Sequence, residues 1–193
     1  MTKDRLVSFS DGILAVIITI MVLELRVPDG VDMAALKPMV PVFVAYALSF
    51  TNIAIYWNNH HHLLYAVERI DGRVMWANLH LLFWLSLIPF TTAWVGQNHV
   101  AALPTAVYGA VLILAAIAYT ILQRALIAAN GRQSVLAHAI GSDAKGRASV
   151  ALYAIAIVFA FYNQWIADAC YFAVAILWLV PDPRIEKKLT EPR

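Results

Sequence analysis

The chain has 193 residues, of which 62% are hydrophobic and only 13% charged, and its mean hydropathy is +0.70. Soluble domains average about 45–50% apolar and about 25% charged residues, so this chain cannot cover itself with polar surface in water and is expected to be an integral membrane protein. A net charge of +2 with no basic, aromatic-interleaved patch gives no reason to expect a nucleic-acid partner, and one cysteine, Cys170, excludes an intramolecular disulfide.

A spanning helix needs about 20 predominantly apolar residues. Six runs meet that need in chain order, some only just: residues 6–25, 39–57, 76–95, 105–127, 148–165 and 166–180. The first opens as "RLVSFSD", polar and charged, and turns at Gly12 into an apolar run with one hydroxyl, Thr19, at its centre. It is long enough to span and no small-residue cleavage site follows it, so it reads as a retained helix rather than a signal peptide. The third run contains Pro89, which is expected to kink or locally unwind it. The sixth is short and carries Asp168 near its start; "NQWIAD" between the fifth and sixth reads as a tight turn. A barrel is a poor alternative, because its strands would alternate over about 9–11 residues while these runs are apolar all round.

Lys and Arg set the orientation. Twelve of the fourteen fall on one side (Lys3, Arg5, Arg69, Arg73, Arg124, Arg132, Lys145, Arg147, Arg184, Lys187, Lys188 and Arg193), leaving only Arg26 and Lys37 opposite. Both termini are therefore expected in the cytoplasm, and residues 1–193 are expected to form a single transmembrane domain.

That orientation brings Arg5, Ser10 and Asp11, then Trp57, Asn58, His60 and His61, then Asn78 and His80 to one depth near the inner face. An ionised side chain within a bilayer costs at least a few kcal/mol unless paired or hydrated, so Asp11 needs partners. Arg5 is six residues earlier and lies on another face, so a histidine of the second helix is the better candidate for direct contact. The run His60, His61, His62 is a weak metal motif, because successive helical residues point about 100° apart and cannot converge on one ion.

Gly12, Val16, Thr19, Ile20, Leu23 and Val27 follow one helical stripe on the first run. Four such stripes around an axis would form a narrow apolar tube with one ring of hydroxyls, and such constrictions gate by dewetting. On pattern alone the stripe is more simply an ordinary helix interface, with Thr19 bonded to the carbonyl of Ala15.

The motif Arg5-x-x-x-Phe9-Ser10-Asp11 resembles the R-x-x-x-F-S-D signature that opens the first helix of the transmembrane protein 175 family, the bacterial and lysosomal potassium channels. "YWNNHHHLL" resembles that family's second-helix end, and "NLHLLFWLSLIPFTT" its third helix. The resemblance implies an all-α, six-helix subunit that assembles as a homotetramer with the first helices lining the pore. It implies that Val16 is the narrowest position, where a bulkier Ile or Leu is often found, and that Thr19 is the threonine layer, touched transiently by K⁺. Ile20 and Leu23 would be further apolar layers, and Arg5, Asp11 and His60 a polar network behind the pore helix. The expected function is a leak-like, potassium-preferring cation channel of a prokaryotic plasma membrane, with membrane lipids and monovalent cations as partners and no cofactor beyond permeant K⁺. A secondary transporter would need broken helices and a midplane site. An enzyme would need paired carboxylates, a nucleophile or a complete metal box.

Overall fold

The computed structural model describes residues 2–99, 101–131, 133–134, 136–137 and 143–179. Every regular element among them is helical. The first, α1 (Lys3–Leu23), starts inside the polar segment rather than after it, and ends where Glu24 and Leu25 turn back to the carbonyls of Met21 and Val22. Pro28 and Gly30 then carry the chain to a second rod. Asp32 caps the short α2 (Met33–Leu36) by accepting from the Ala35 amide at 3.1 Å, a single 3₁₀ turn at Lys37–Met39 follows, and α3 (Val40–Tyr65) continues with Pro41 in its first turn, where the missing N–H costs nothing.

Hydropathy ends the second span at Trp57, but α3 runs two turns further, through the whole histidine run. Asp71 caps α4 (Gly72–Ser86) by accepting from the Val74 amide at 2.9 Å. The third span is broken as Pro89 predicts: α4 ends at Ser86, capped by Leu87, whose amide bonds the Trp84 carbonyl, and α5 (Ile88–Gln97) restarts with the proline in its first turn. The central rod, α6 (Ala102–Asn130), has 29 residues and a length of about 43 Å at 1.5 Å per residue. Two shorter helices, α7 (Ala144–Phe159) and α8 (Gln164–Leu179), complete the bundle.

The boundary between the last two spans is a correction. The turn is 160–163, and Gln164, Trp165 and Asp168 are already helical. Asn163 makes it so, because its side chain accepts from the Trp165 amide at 3.1 Å and its carbonyl from Ile166. Among the described residues, four helical stretches (Lys3–Leu23, Met33–Tyr65, Gly72–Gln97 and Ala102–Asn130) are long and apolar enough to cross a membrane, and Gln164–Leu179 is a shorter apolar helix. Arg132, Val180, Arg184, Lys187, Lys188 and Arg193 lie outside the described residues.

In the bundle, α1 packs on α3, α4 and α5 at one flank, and α6 joins α4 and α5 to the α7–α8 hairpin at the other. Close approach of α6 to α8 depends on Gly109: a methyl group there would collide with the Tyr171 hydroxyl, which lies over it and donates to the Thr105 carbonyl at 2.8 Å. Polar residues inside the bundle are bonded to one another. Thr92 donates to Ser49 at 2.7 Å, Ser49 and Tyr108 share a 3.0 Å bond, and Asn52 donates to Tyr108 at 3.4 Å. Such pairing is what a low-dielectric interior demands.

The two ends of the bundle are tied separately. Lys3 Nζ donates to the carbonyls of Tyr65 (3.3 Å) and Val67 (2.8 Å), and Asn130 holds the backbone of Glu68 and Arg69, so the start of α1 and the ends of α3 and α6 share one end. At the other end, Gln164 donates to Thr105 Oγ1 at 3.1 Å and to the His99 carbonyl.

A candidate pore helix and its polar anchor

Helix α1 has two faces, set by its sequence. Leu6, Ser10, Leu14, Ile17 and Met21 recur at i, i+4, i+8, i+11 and i+15 and are all buried against the bundle. The stripe singled out in the sequence lies on the outer side. Val16 is 55% exposed, Ile20 43% and Leu23 80%, and Gly12, Thr19 and Val27 are exposed as well. Beside it runs an open groove of about 970 Å³ in which Val16 and Ile20 face Pro89, Phe90 and Trp94 of α5. A subunit that leaves this much apolar surface uncovered along one helix presents it to lipid or to another chain.

Thr19 is oriented by its own backbone. Its hydroxyl donates to the carbonyl of Val16 at 2.9 Å, one residue later in the chain than the expected Ala15 acceptor. With the hydrogen spent there, the oxygen keeps its lone pairs for an outside donor or cation.

The polar start of α1 splits between two partners. Asp11 Oδ1 accepts from the Trp57 indole nitrogen of α3 at 3.0 Å. Ser10, one position earlier and fully buried, accepts from Asn78 Nδ2 at 2.9 Å and donates to the Leu6 carbonyl at 2.8 Å. Asn78 Oδ1 in turn bonds His60 Nε2 at 2.7 Å, so a buried chain His60–Asn78–Ser10 joins α3, α4 and α1. The structure thus gives Asp11 a direct partner other than the expected histidine, and puts His60 two hydrogen bonds from its neighbour Ser10, through Asn78. Arg5 is exposed and has no hydrogen bond among the described residues, and Phe9, 47% exposed, lines the groove.

Trp57 and Asn78 stand at the right depth in the sequence, but nothing there says which groups pair. The three consecutive histidines diverge: His60 turns into the core, while His61 packs against Trp57 and Tyr65 with ring centroids 6.2 and 6.3 Å apart. Among the described residues no group of three or more His, Cys, Asp or Glu is placed to hold a metal ion. His80 accepts from Trp84 Nε1 at 2.9 Å.

A family model described as the endosomal/lysosomal potassium channel TMEM175 matches residues 5–89, the region that holds nearly all of α1, the anchor and the break at Pro89. A curated potassium channel of Chryseobacterium sp. (strain P1-3) is 53% identical over 191 residues, which is 99% of this chain and 100% of that one. The chain belongs to the TMEM175 family.

The likeness extends to the fold. A crystal structure of a lysosomal potassium-selective channel TMEM175 homolog from Chamaesiphon minutus superposes with a TM-score of 0.79 at 26% identity, covering 92% of this chain and 96% of that one. A more distant TMEM175, the endosomal/lysosomal proton channel of Mus musculus, is 30% identical over 115 residues, 51% of this chain and 23% of that one. Membership and the apolar helices together make this TMEM175 chain a multi-pass membrane protein.

Proposed function

We propose that the protein is a cation channel, potassium-preferring and leak-like, in which four copies enclose a pore along their α1 helices. The observation that carries this reading is the two-faced α1: its inner face is locked into the subunit, and its outer face offers an apolar stripe interrupted by one hydroxyl. A single stripe cannot enclose a path, whereas four can. Val16 would form the dewetting constriction, Ile20 and Leu23 further apolar layers, and Thr19 a ring of oxygens that partly replaces the hydration shell of K⁺.

The anchor fixes the pose of that helix. Trp57 holds Asp11 at the rim, and His60–Asn78–Ser10 pins the turn before it. Both termini lie in the cytoplasm of a prokaryotic cell on this reading, as the basic residues direct. The names carried by the Chryseobacterium and Chamaesiphon relatives support K⁺ as the preferred ion.

Purified protein in liposomes tests the reading. A K⁺ gradient should drive flux that needs no coupled ion and no turnover, and the solubilised protein should have the mass of four chains. A conducting monomer, or transport that stops without a second ion, contradicts it. Proton permeation is the second reading, favoured by the name of the mouse relative, and a pH gradient across the same vesicles measures it.

A further inference from the structure

A second cavity, of about 40 Å³, lies off the pore helix between α3, α6, α7 and α8, at the end of the bundle where α1 begins. Its lining includes Asn52, Asn59, Thr120, Asp143, Ser149 and Tyr153. Four of these already bond the protein, and Ser149 Oγ also accepts from Trp178 Nε1 at 2.8 Å. Asn59 donates to the Ile55 carbonyl (2.8 Å), Thr120 to Ala116 (3.0 Å), Ser149 to Lys145 (2.9 Å) and Asn52 to the Tyr108 hydroxyl. Their oxygens keep lone pairs, and Asn52 and Asn59 each keep a second amide hydrogen.

Tyr153 is only 3% exposed, its ring packs on Tyr171, and its hydroxyl makes no hydrogen bond among the described residues. Tyr153 lines the cavity, which is the space open to that hydroxyl. A dry cavity would leave the Tyr153 hydroxyl facing empty space inside an apolar bundle, which is costly.

We infer that this cavity is a buried water site. A water needs about 10–15 Å³ of such space and two to four polar partners, so there is room for about three, donating to the amide and hydroxyl oxygens and accepting from Tyr153. A neutral occupant fits better than a cation. The N-terminus of α7 borders the cavity at Gly146, and the Asp143 carboxylate is engaged in capping it, accepting from the Gly146 amide at 3.2 Å. The positive end of the helix dipole already faces that charge. The water cluster ties the start of α7 to α3 at Asn59, next to His60, so it braces the element that carries the anchor. It stands independently of which ion the channel conducts.

Synchrotron hydroxyl-radical footprinting of the wild-type protein tests this, because radicals form at bound waters and oxidise the buried side chains beside them. Tyr153 should be oxidised well above Tyr171, which is 1% exposed but bonded to the Thr105 carbonyl. Tyr153→Phe should lower the melting temperature by a few degrees, since the waters lose a donor. Equal labelling of the two tyrosines, or a raised melting temperature in Tyr153→Phe, means a dry void and overturns the assignment. So does a melting temperature that rises specifically with K⁺ or Na⁺ over choline and loses that rise in Asp143→Asn, which would assign an ion instead.

Discussion

The indole nitrogen of Trp57 donates to the carboxylate of Asp11 at 3.0 Å, joining the rim of α1 to α3. Trp57→Phe keeps an aromatic ring but removes the indole donor, and should cost about 1.5–3 kcal/mol, the range for a hydrogen bond to a charged group. Thermal unfolding of the solubilised protein measures it, and K⁺/Na⁺ selectivity should be little changed. Wild-type melting and currents would show that Asp11 is simply a wet interfacial residue.

Three helices meet in the His60–Asn78–Ser10 chain, so its members should act as a unit. His60→Ala and Asn78→Ala should each destabilise, and the double variant should fall short of their sum by roughly 0.5–3 kcal/mol, as for residues in one hydrogen-bond network. Strict additivity in a double-mutant cycle would dissolve the chain into separate contacts.

Gly109→Ala should lower the melting temperature, because a methyl group there strikes the Tyr171 hydroxyl. Overpacking of this kind typically costs about 1–3 kcal/mol. Tyr171→Phe removes the obstructing oxygen, so the pair should be less destabilised than the two singles added together. If the pair shows no relief, the helices are kept apart by something other than this contact.

Hydropathy made the six rods legible, because a helix in lipid must be apolar over its length, and Pro89 marked the break at Leu87. It misjudged the second rod because a hydropathy window stops at polar residues while a helix does not: Asn59 and His60 bond within the bundle, and α3 continues to Tyr65. It misplaced the last turn because "AFYN" is as apolar as the spans beside it, and the deciding signal was the capping asparagine, Asn163. That Ser10, Asp11, Trp57, His60 and Asn78 share one level of the bundle was readable from the alternating direction of the helices. Their pairing was not, because it depends on helix rotation: Ser10 and Asp11 are neighbours about 100° apart, and one faces Asn78 while the other faces Trp57.

If Val16 forms the constriction, its barrier is dehydration, and a polar side chain of similar size should lower it. Val16→Thr or Val16→Asn should raise the conductance or the leak, and Val16→Phe should block. Leu14, off the stripe, is buried in the subunit, so changes there report packing; Ile18, partly exposed, is the permeation control. Unchanged conductance in all three Val16 variants would place the constriction elsewhere.

The most direct test is the K⁺/Na⁺ permeability ratio of Thr19→Val, taken from single-channel reversal potentials in asymmetric K⁺/Na⁺. The substitution keeps the shape and removes the oxygen whose hydrogen is held by the Val16 carbonyl. Each lost contact is worth about 0.5–1.5 kcal/mol net, and about 1.4 kcal/mol is a factor of ten. If four subunits enclose the pore and lose theirs together, the ratio should fall severalfold, with expression and assembly intact. A wild-type ratio in Thr19→Val, alongside an altered one on substituting Ile18, would contradict it and turn a different face of α1 towards the ions.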